Sequence, residues 1–184
     1  MNFNEHYNLS GKHAFLSGSN YHWINYTPEK LRQVFKNAKS KEEGTILHDF
    51  ASTAIKKRLK MAPLKKALHL FVNDAIGFGM ESEQVLYYSD NCFGTADAIL
   101  FKDNILRIHD LKTGITKVSF NQLDIYAAMF CLEYGVKPHD IIIKQRIYQG
   151  NGILEQLGNP DSIVDIMQTI VEFDLVLEMV KDEL

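Results

Sequence analysis

Cysteine is nearly absent: 184 residues hold only Cys92 and Cys131, with one tryptophan and four prolines. Two thiols are too few for a disulfide framework or for a four-cysteine iron–sulfur cluster. They read as buried free thiols in a reducing cytosol. No apolar run reaches the roughly twenty residues needed to span a bilayer, so no membrane partner is expected. The opening segment, MNFNEHYNLSGKH, lacks the apolar stretch of a signal peptide, and a cytoplasmic location is expected. The last four residues, Lys181-Asp182-Glu183-Leu184, match an ER-retention tag. Without a leader, that tag reads as a charged helix end. There is no internal repeat, low-complexity tract or linker, and one domain over residues 1–184 is expected.

Basic residues are also scarce at one end. Residues 151–184 hold eight acids and a single base, Lys181, a sum of -7. The whole chain carries -3, so residues 1–150 carry +4. Six of their bases fall between Lys56 and Lys66: Lys56, Lys57, Arg58, Lys60, Lys65 and Lys66. Such a run serves either as a solvated helix face or as a grip on phosphates through counterion release.

The first 80 residues read as mainly helical. Thr27-Pro28 resembles an N-cap with proline at the first helical position, opening a helix to about Asn37. Ser40 to Glu43 fits a capping box for a second helix, in which Leu47, Phe50, Ala51, Ala54, Ile55 and Leu59 recur at helical spacing. Pro63 opens a third, reaching Ile76. The period then changes, and residues 84–90, 93–102 and 105–113 read as strands. Ser119 starts a helix to Tyr134, residues 140–148 form a buried strand, and Asn159-Pro160-Asp161 starts the last helix, over 160–184. The order predicts an α/β domain with a small mixed sheet flanked by helices and preceded by N-terminal helices.

The turn at Asp103-Asn104 fixes a register in which paired positions sum to 207. Asp97 then lies opposite Asp110, and Thr95 opposite Lys112. Alternation puts Thr95, Asp97, Ile99 and Phe101 on one face with Leu106, Ile108, Asp110 and Lys112. Opposed carboxylates, with Cβ atoms about 4.5–5.5 Å apart, repel unless a cation or a shared proton intervenes. Hard divalent ions such as Mg²⁺ or Mn²⁺ supply that charge. Lys112 shares the face and can neutralise a carboxylate or orient an attacking water. An ordinary Asp–Lys ion pair with Asp97 as a bystander explains the same residues equally well. His109 adjoins Asp110 but points to the other face of the sheet.

The ordered set Glu43-Gly44-Thr45-x-x-His48, Gly94-Thr95-Ala96-Asp97, Asp110-Leu111-Lys112-Thr113-Gly114 and Gln122-x-x-x-Tyr126 decides between them. It resembles the PD-(D/E)XK nuclease superfamily, in the branch of RecB-type nuclease domains, CRISPR-associated adaptation nucleases and phage exonucleases. The resemblance spans residues 43–126. It implies catalytic roles for Asp97, Asp110 and Lys112, and a metal site of His48, Asp97, Asp110 and the Leu111 carbonyl. It further implies that Gln122 and Tyr126 contact the nucleic-acid strand; Lys56 and Lys57 are added as candidates by the charge of the basic run. Glu43 is a weaker candidate, since a capping box alone explains it. Ser17 and Ser19, in a Leu-Ser-x-Ser segment like one early in these domains, are others. Gln122 can also be read as a capping partner of Ser119. The second acid is Asp where the family often has Glu. With two cysteines the chain matches the members that lack an iron–sulfur cluster.

The resemblance therefore implies a Mg²⁺- or Mn²⁺-dependent nuclease acting on DNA, an exonuclease of phage or bacterial recombination or repair. It carries no helicase motif, so a recombinase, single-strand-binding protein or helicase would be a separate partner. The oligomeric state is left open. The rival expectations are a silent domain of the same fold that binds nucleic acid or protein without cutting, and a hydrolase of some other phosphate ester.

Overall fold

The computed structural model describes residues 14–183; the reading of the first thirteen residues as free of a leader lies outside them. Two compact units are distinguished, one ending at Glu43 and one beginning at Gly44. The first holds a 3-10 stretch, Gly18–Asn25, and the opening of helix α1 (Pro28–Lys56). Thr27 caps that helix as its sequence indicates: its hydroxyl accepts from the Lys30 N–H at 3.2 Å. The helix does not break near residue 38, so the capping box at Ser40 to Glu43 is not used. Asn37, Ser40 and Gly44 in this stretch weaken a helix without stopping it, and no proline intervenes.

The second unit carries the end of α1, then α2 (Ala67–Phe78), β1 (Glu81–Ser89), β2 (Cys92–Lys102), β3 (Ile105–Lys112), α3 (Asn121–Tyr134), β4 (Ile142–Gln149), β5 (Gly152–Leu157) and α4 (Pro160–Asp182). Pro63 lies in the loop before α2 rather than at its start. The fifth strand is absent from the sequence reading; β5 is short and alternates weakly, with half-buried Ile153 and Gln156 among exposed neighbours. The α4 start is as expected, with the Asn159 side chain accepting from the Asp161 N–H at 3.0 Å.

The five strands pair in chain order, all antiparallel except β3 with β4. That one parallel pair requires a crossover, which α3 supplies. Helices cover both faces, giving the expected α/β core with a mixed sheet. Leu86, Ala96, Ile99, Leu106, Ile108, Ile143 and Ile147 pack under α3 and α4. On the other face Ala98, Leu111 and Tyr148 meet Ala51, Ala54 and Ile55 of α1 and Phe71, Val72 and Ala75 of α2. Gly158 lets the chain turn from β5 to α4 against this core, since a Cβ there would sit 2.9 Å from Ile143 Cγ2.

Asp103 and Asn104 both take positive φ, 53° and 55°, as a two-residue hairpin turn requires. The resulting β2–β3 register is the expected one: Ala98 faces His109 and Ile99 faces Ile108. The expected simple alternation along β2 fails, however. Ala96 and Ile99 both face α3, whereas Ala98 faces α1 and α2. β1 behaves alike: Leu86 faces α3, and Ser82 meets Ser52 of α1 at 3.1 Å. Both strands therefore change sides once, at Glu83 and Asp97. These two residues drop out of the β1–β2 pairing while the register on either side stays the same. Each strand carries one extra residue at the same level, a matched pair of bulges. Glu83 bears the distortion, with φ at 53°; for a residue with a Cβ this costs about 1 kcal/mol.

Candidate active site

The site forms where β2 and β3 run out of mutual pairing. The last paired residues are Ala98 and His109. Beyond them the Leu111 N–H donates to the Asp97 side chain, to Oδ2 at 2.8 Å. Asp97 Oδ1 lies 3.3 Å from Nδ1 of His48 on α1. The carboxylate is thus held by a backbone amide of one strand and an imidazole from a helix.

Asp110 is 2% exposed. Its Oδ1 accepts from Lys112 Nζ at 3.1 Å. The same ammonium lies 3.0 Å from Oδ2, yet the geometry makes no hydrogen bond there, and Oδ2 has no hydrogen-bond partner. Burial pushes the Asp110 carboxyl above the ordinary carboxylate range, and the neighbouring Asp97 charge adds to the shift. His48 moves up as well, because its hydrogen bond to Asp97 outweighs its desolvation.

Lys112 also donates to Gln122 Oε1 at 2.7 Å, and Gln122 Nε2 donates to Tyr126 Oη at 3.0 Å. Gln122 and Tyr126 stand four apart on one face of α3, so the chain Asp110–Lys112–Gln122–Tyr126 is continuous. The capping role for Gln122 is not taken up: the α3 cap position is Phe120, and Ser119 accepts from the Asn121 N–H instead. Burial raises the Tyr126 phenol above its ordinary value, which keeps it neutral and able to donate. Two motif glycines mark close approaches. A Cβ on Gly44 would lie 2.9 Å from Thr113 Oγ1, and one on Gly94 would lie 3.0 Å from Tyr126 Cε1. Without side chains at these positions, α1 reaches the end of β3 and Tyr126 lies against β2.

The structure therefore brings together His48, Asp97, Asp110, Leu111, Lys112, Gln122 and Tyr126. Lys56 ends α1 and Lys57 follows it in a turn, both exposed, and the Lys56 charge is felt at Glu83. Glu43 is exposed on α1 and belongs to the first unit, as do Ser17 and Ser19, whose hydroxyls lie 3.1 Å apart. His109 faces α2, as expected, away from this cluster: its Nδ1 lies 3.1 Å from Tyr148 Oη and its ring meets Phe78 edge-on.

Sequence reasoning missed Glu83. Its side chain joins His48 and Asp97 in a group whose ligand atoms all lie within 4.8 Å of one another. Burial and the Asp97 charge hold its carboxyl above the ordinary range. The β1–β2 turn at Asp90-Asn91 gave only a partial signal: it places Glu83 opposite Ala98, and a register shift between Tyr87 and Ser89 brings it level with Asp97; neither that shift nor the bulge at Glu83 leaves a trace in composition. Imidazole nitrogen, three carboxylates and a buried carboxylate oxygen with no hydrogen-bond partner fit a divalent cation with hard-to-borderline preferences.

A family model described as "Protein of unknown function (DUF2800)" matches residues 80–137, which contain β1 to β3 and α3. No curated protein matches. A solved structure described as "Crystal structure of SSO0001" is 16% identical, with a TM-score of 0.39, over 82% of this chain and 67% of its own. A likeness that distant adds nothing to the reading of the site. Among the described residues no helix is long and apolar enough to cross a membrane.

Proposed function

We propose that this protein is a divalent-metal-dependent nuclease of the PD-(D/E)XK superfamily that hydrolyses DNA phosphodiester bonds. One observation carries the reading: Asp97, Asp110 and Lys112 converge at the end of the sheet, and Asp110 keeps a buried oxygen that no hydrogen bond in the protein satisfies. The Lys112 ammonium lies 3.0 Å from that oxygen as an ion pair, yet a buried carboxylate oxygen that accepts no hydrogen bond still costs stability. Asp97, Asp110, His48 and the Leu111 carbonyl would hold the ion. A bound Mg²⁺ or Mn²⁺ supplies charge neutralisation at the phosphate and a more acidic water.

The chain's own groups do the rest by position and charge. Lys112 places an ammonium beside Asp110, where it can meet a phosphate oxygen or steady a water. Gln122 holds that ammonium and is held in turn by Tyr126. The neutral Tyr126 phenol and the Gln122 amide present donors to a phosphate or sugar of the strand. The basic run from Lys56 to Lys66 adds attraction for the backbone that is independent of sequence. By the same resemblance the enzyme is an exonuclease that works beside a separate recombination or replication protein.

The test is digestion of labelled DNA with Mg²⁺ or Mn²⁺, with and without EDTA, beside small phosphoesters. The wild type should cut DNA only with metal. Asp110→Ala and Lys112→Ala should lose cutting by about two orders of magnitude or more while keeping the wild-type circular dichroism spectrum. Unchanged cutting by either variant removes the assignment.

A further inference from the structure

The apolar residues of α4 recur at alternating intervals of three and four: Ile163, Ile166, Ile170, Phe173, Leu177 and Val180. That spacing lays them along one seam of the helix. Ile163, Ile166 and Ile170 pack into the core under α3. The seam then outruns the core. Phe173 is 61% exposed, Leu177 47% and Val180 45%. Where it leaves the core, Phe173 and Leu177 face Ile125 of α3 across an open groove of about 500 Å³. A contiguous apolar surface of this kind marks a place where another molecule binds.

We propose that this groove and the exposed end of the seam dock a basic amphipathic helix of a partner protein. The sign of the charge selects the occupant. Among the described residues, Asp124 and Asp174 line the groove and no lysine or arginine does. Glu178 follows Asp174 one turn on, and residues 151–184 together sum to -7. Nucleic acid is repelled by such a surface. A second copy of α4 would bring the same charge against itself. A small molecule could fill the groove but would leave Val180 uncovered. A helix with apolar side chains at the matching spacing covers groove and seam together, and lysines or arginines on its flanks meet the acids. The surface is also held ready. Asp174 Oδ1 accepts from Ser89 Oγ at 2.6 Å and from Asn91 Nδ2 at 2.9 Å, and the same amide donates to Glu178 Oε1 at 2.6 Å. The β1–β2 turn thereby fixes α4 where the seam leaves the core, which lowers the ordering cost of binding. The bonds from Ser89 and Asn91 hold the Asp174 carboxyl below the ordinary range, so its charge persists. Gln122 and Tyr126 stand on the adjoining face of α3, so the partner would dock beside the catalytic cluster. The inference is independent of the nuclease reading.

The experiment titrates the full chain into a labelled synthetic peptide of three heptads, leucine at the a and d positions and lysine elsewhere, and follows fluorescence anisotropy. The wild type should bind this peptide, and more weakly as salt is added. A peptide of the same composition with its leucines spread around the helix should bind at least about tenfold more weakly. Two variants test the two walls: Phe173→Ser with Leu177→Ser on α4, and Ile125→Lys on α3. Each should lose at least about tenfold in affinity. All three side chains are partly or largely exposed, so both variants should keep the wild-type circular dichroism spectrum. No binding by the wild type, equal affinity for the two peptides, or a variant that binds like the wild type overturns the docking site. Sedimentation velocity on the chain alone supplies the last arm. A monomer is expected; a dimer that Phe173→Ser with Leu177→Ser dissociates makes the occupant a second copy and overturns the basic partner.

Discussion

Acid should unfold this protein earlier than its carboxylates alone require, because of His109. The ring is 1% exposed and wedged between Phe78 and Tyr148. Tyr148 has one proton, which goes to Asp74 at 2.8 Å, so the 3.1 Å contact between His109 Nδ1 and Tyr148 Oη is a donation by the imidazole. Nε2 is then a lone-pair acceptor with no partner. Protonating it would create a buried N–H with nothing to accept it. Burial, assisted by the Arg146 and Arg107 charges, lowers the His109 pKa from 6.5 to about 3. A depressed folded pKa means that the unfolded chain takes the proton first. The stability is therefore complete above the unfolded value of 6.5 and is lost as pH falls towards about 3. The slope in that window is about 1.4 kcal/mol per pH unit, so going from about pH 7 to about pH 5 costs about 2 kcal/mol. Asp110 and Glu83, whose folded pKa values are raised, act in the opposite sense: the stability they add is present at low pH and is lost as pH rises. A difference measurement separates the terms. Urea unfolding of wild type and His109→Leu at several pH values should show a gap that changes by about 2 kcal/mol across this range. Parallel pH slopes for the two proteins, or an imidazole resonance of His109 that titrates near the unfolded value, would refute the reasoning.

Two further outcomes follow from contacts already described. Gly158→Ala places a Cβ 2.9 Å from Ile143 and 3.1 Å from Ile163, so it should destabilise by about 1–3 kcal/mol in thermal unfolding and leave metal binding unchanged. Replacing Lys56, Lys57 and Arg58 together with glutamine should weaken DNA binding uniformly across sequences and flatten the salt dependence of log K by up to about three; a fluorescence anisotropy titration at several salt concentrations reads both.

The legible parts of the chain were those written in short-range chemistry. The Asp103-Asn104 turn set the β2–β3 register, and Asn159 announced α4. The nearness of Asp97 to Asp110 was anticipated from that register, although strand pairing stops at Ala98 and His109 and Asp97 sits in a bulge; the face shared by Gln122 and Tyr126 followed from helical spacing. What stayed hidden depends on distant packing. α1 runs through residue 38 because nothing in the local sequence is strong enough to stop it. β5 pairs with β4 although its own alternation is faint, since a neighbouring strand supplies its hydrogen bonds. Glu83 enters the site through a left-handed residue that no composition rule marks, being neither glycine nor asparagine. The six bases from Lys56 to Lys66 were read correctly as a run, but only the position of Lys56 near Glu83 ties them to the site.

The bond from the Leu111 amide to Asp97 bears on the choice of an inactive control. That carboxylate stands in for a missing rung between β2 and β3, so truncating it leaves a backbone donor stranded in the middle of the sheet. An Asp97→Ala protein that fails to cut DNA would leave chemistry and local unravelling confounded. Asp110→Asn is the cleaner knockout: it preserves shape, removes charge from a position that accepts no backbone hydrogen, and should if anything firm up the metal-free protein.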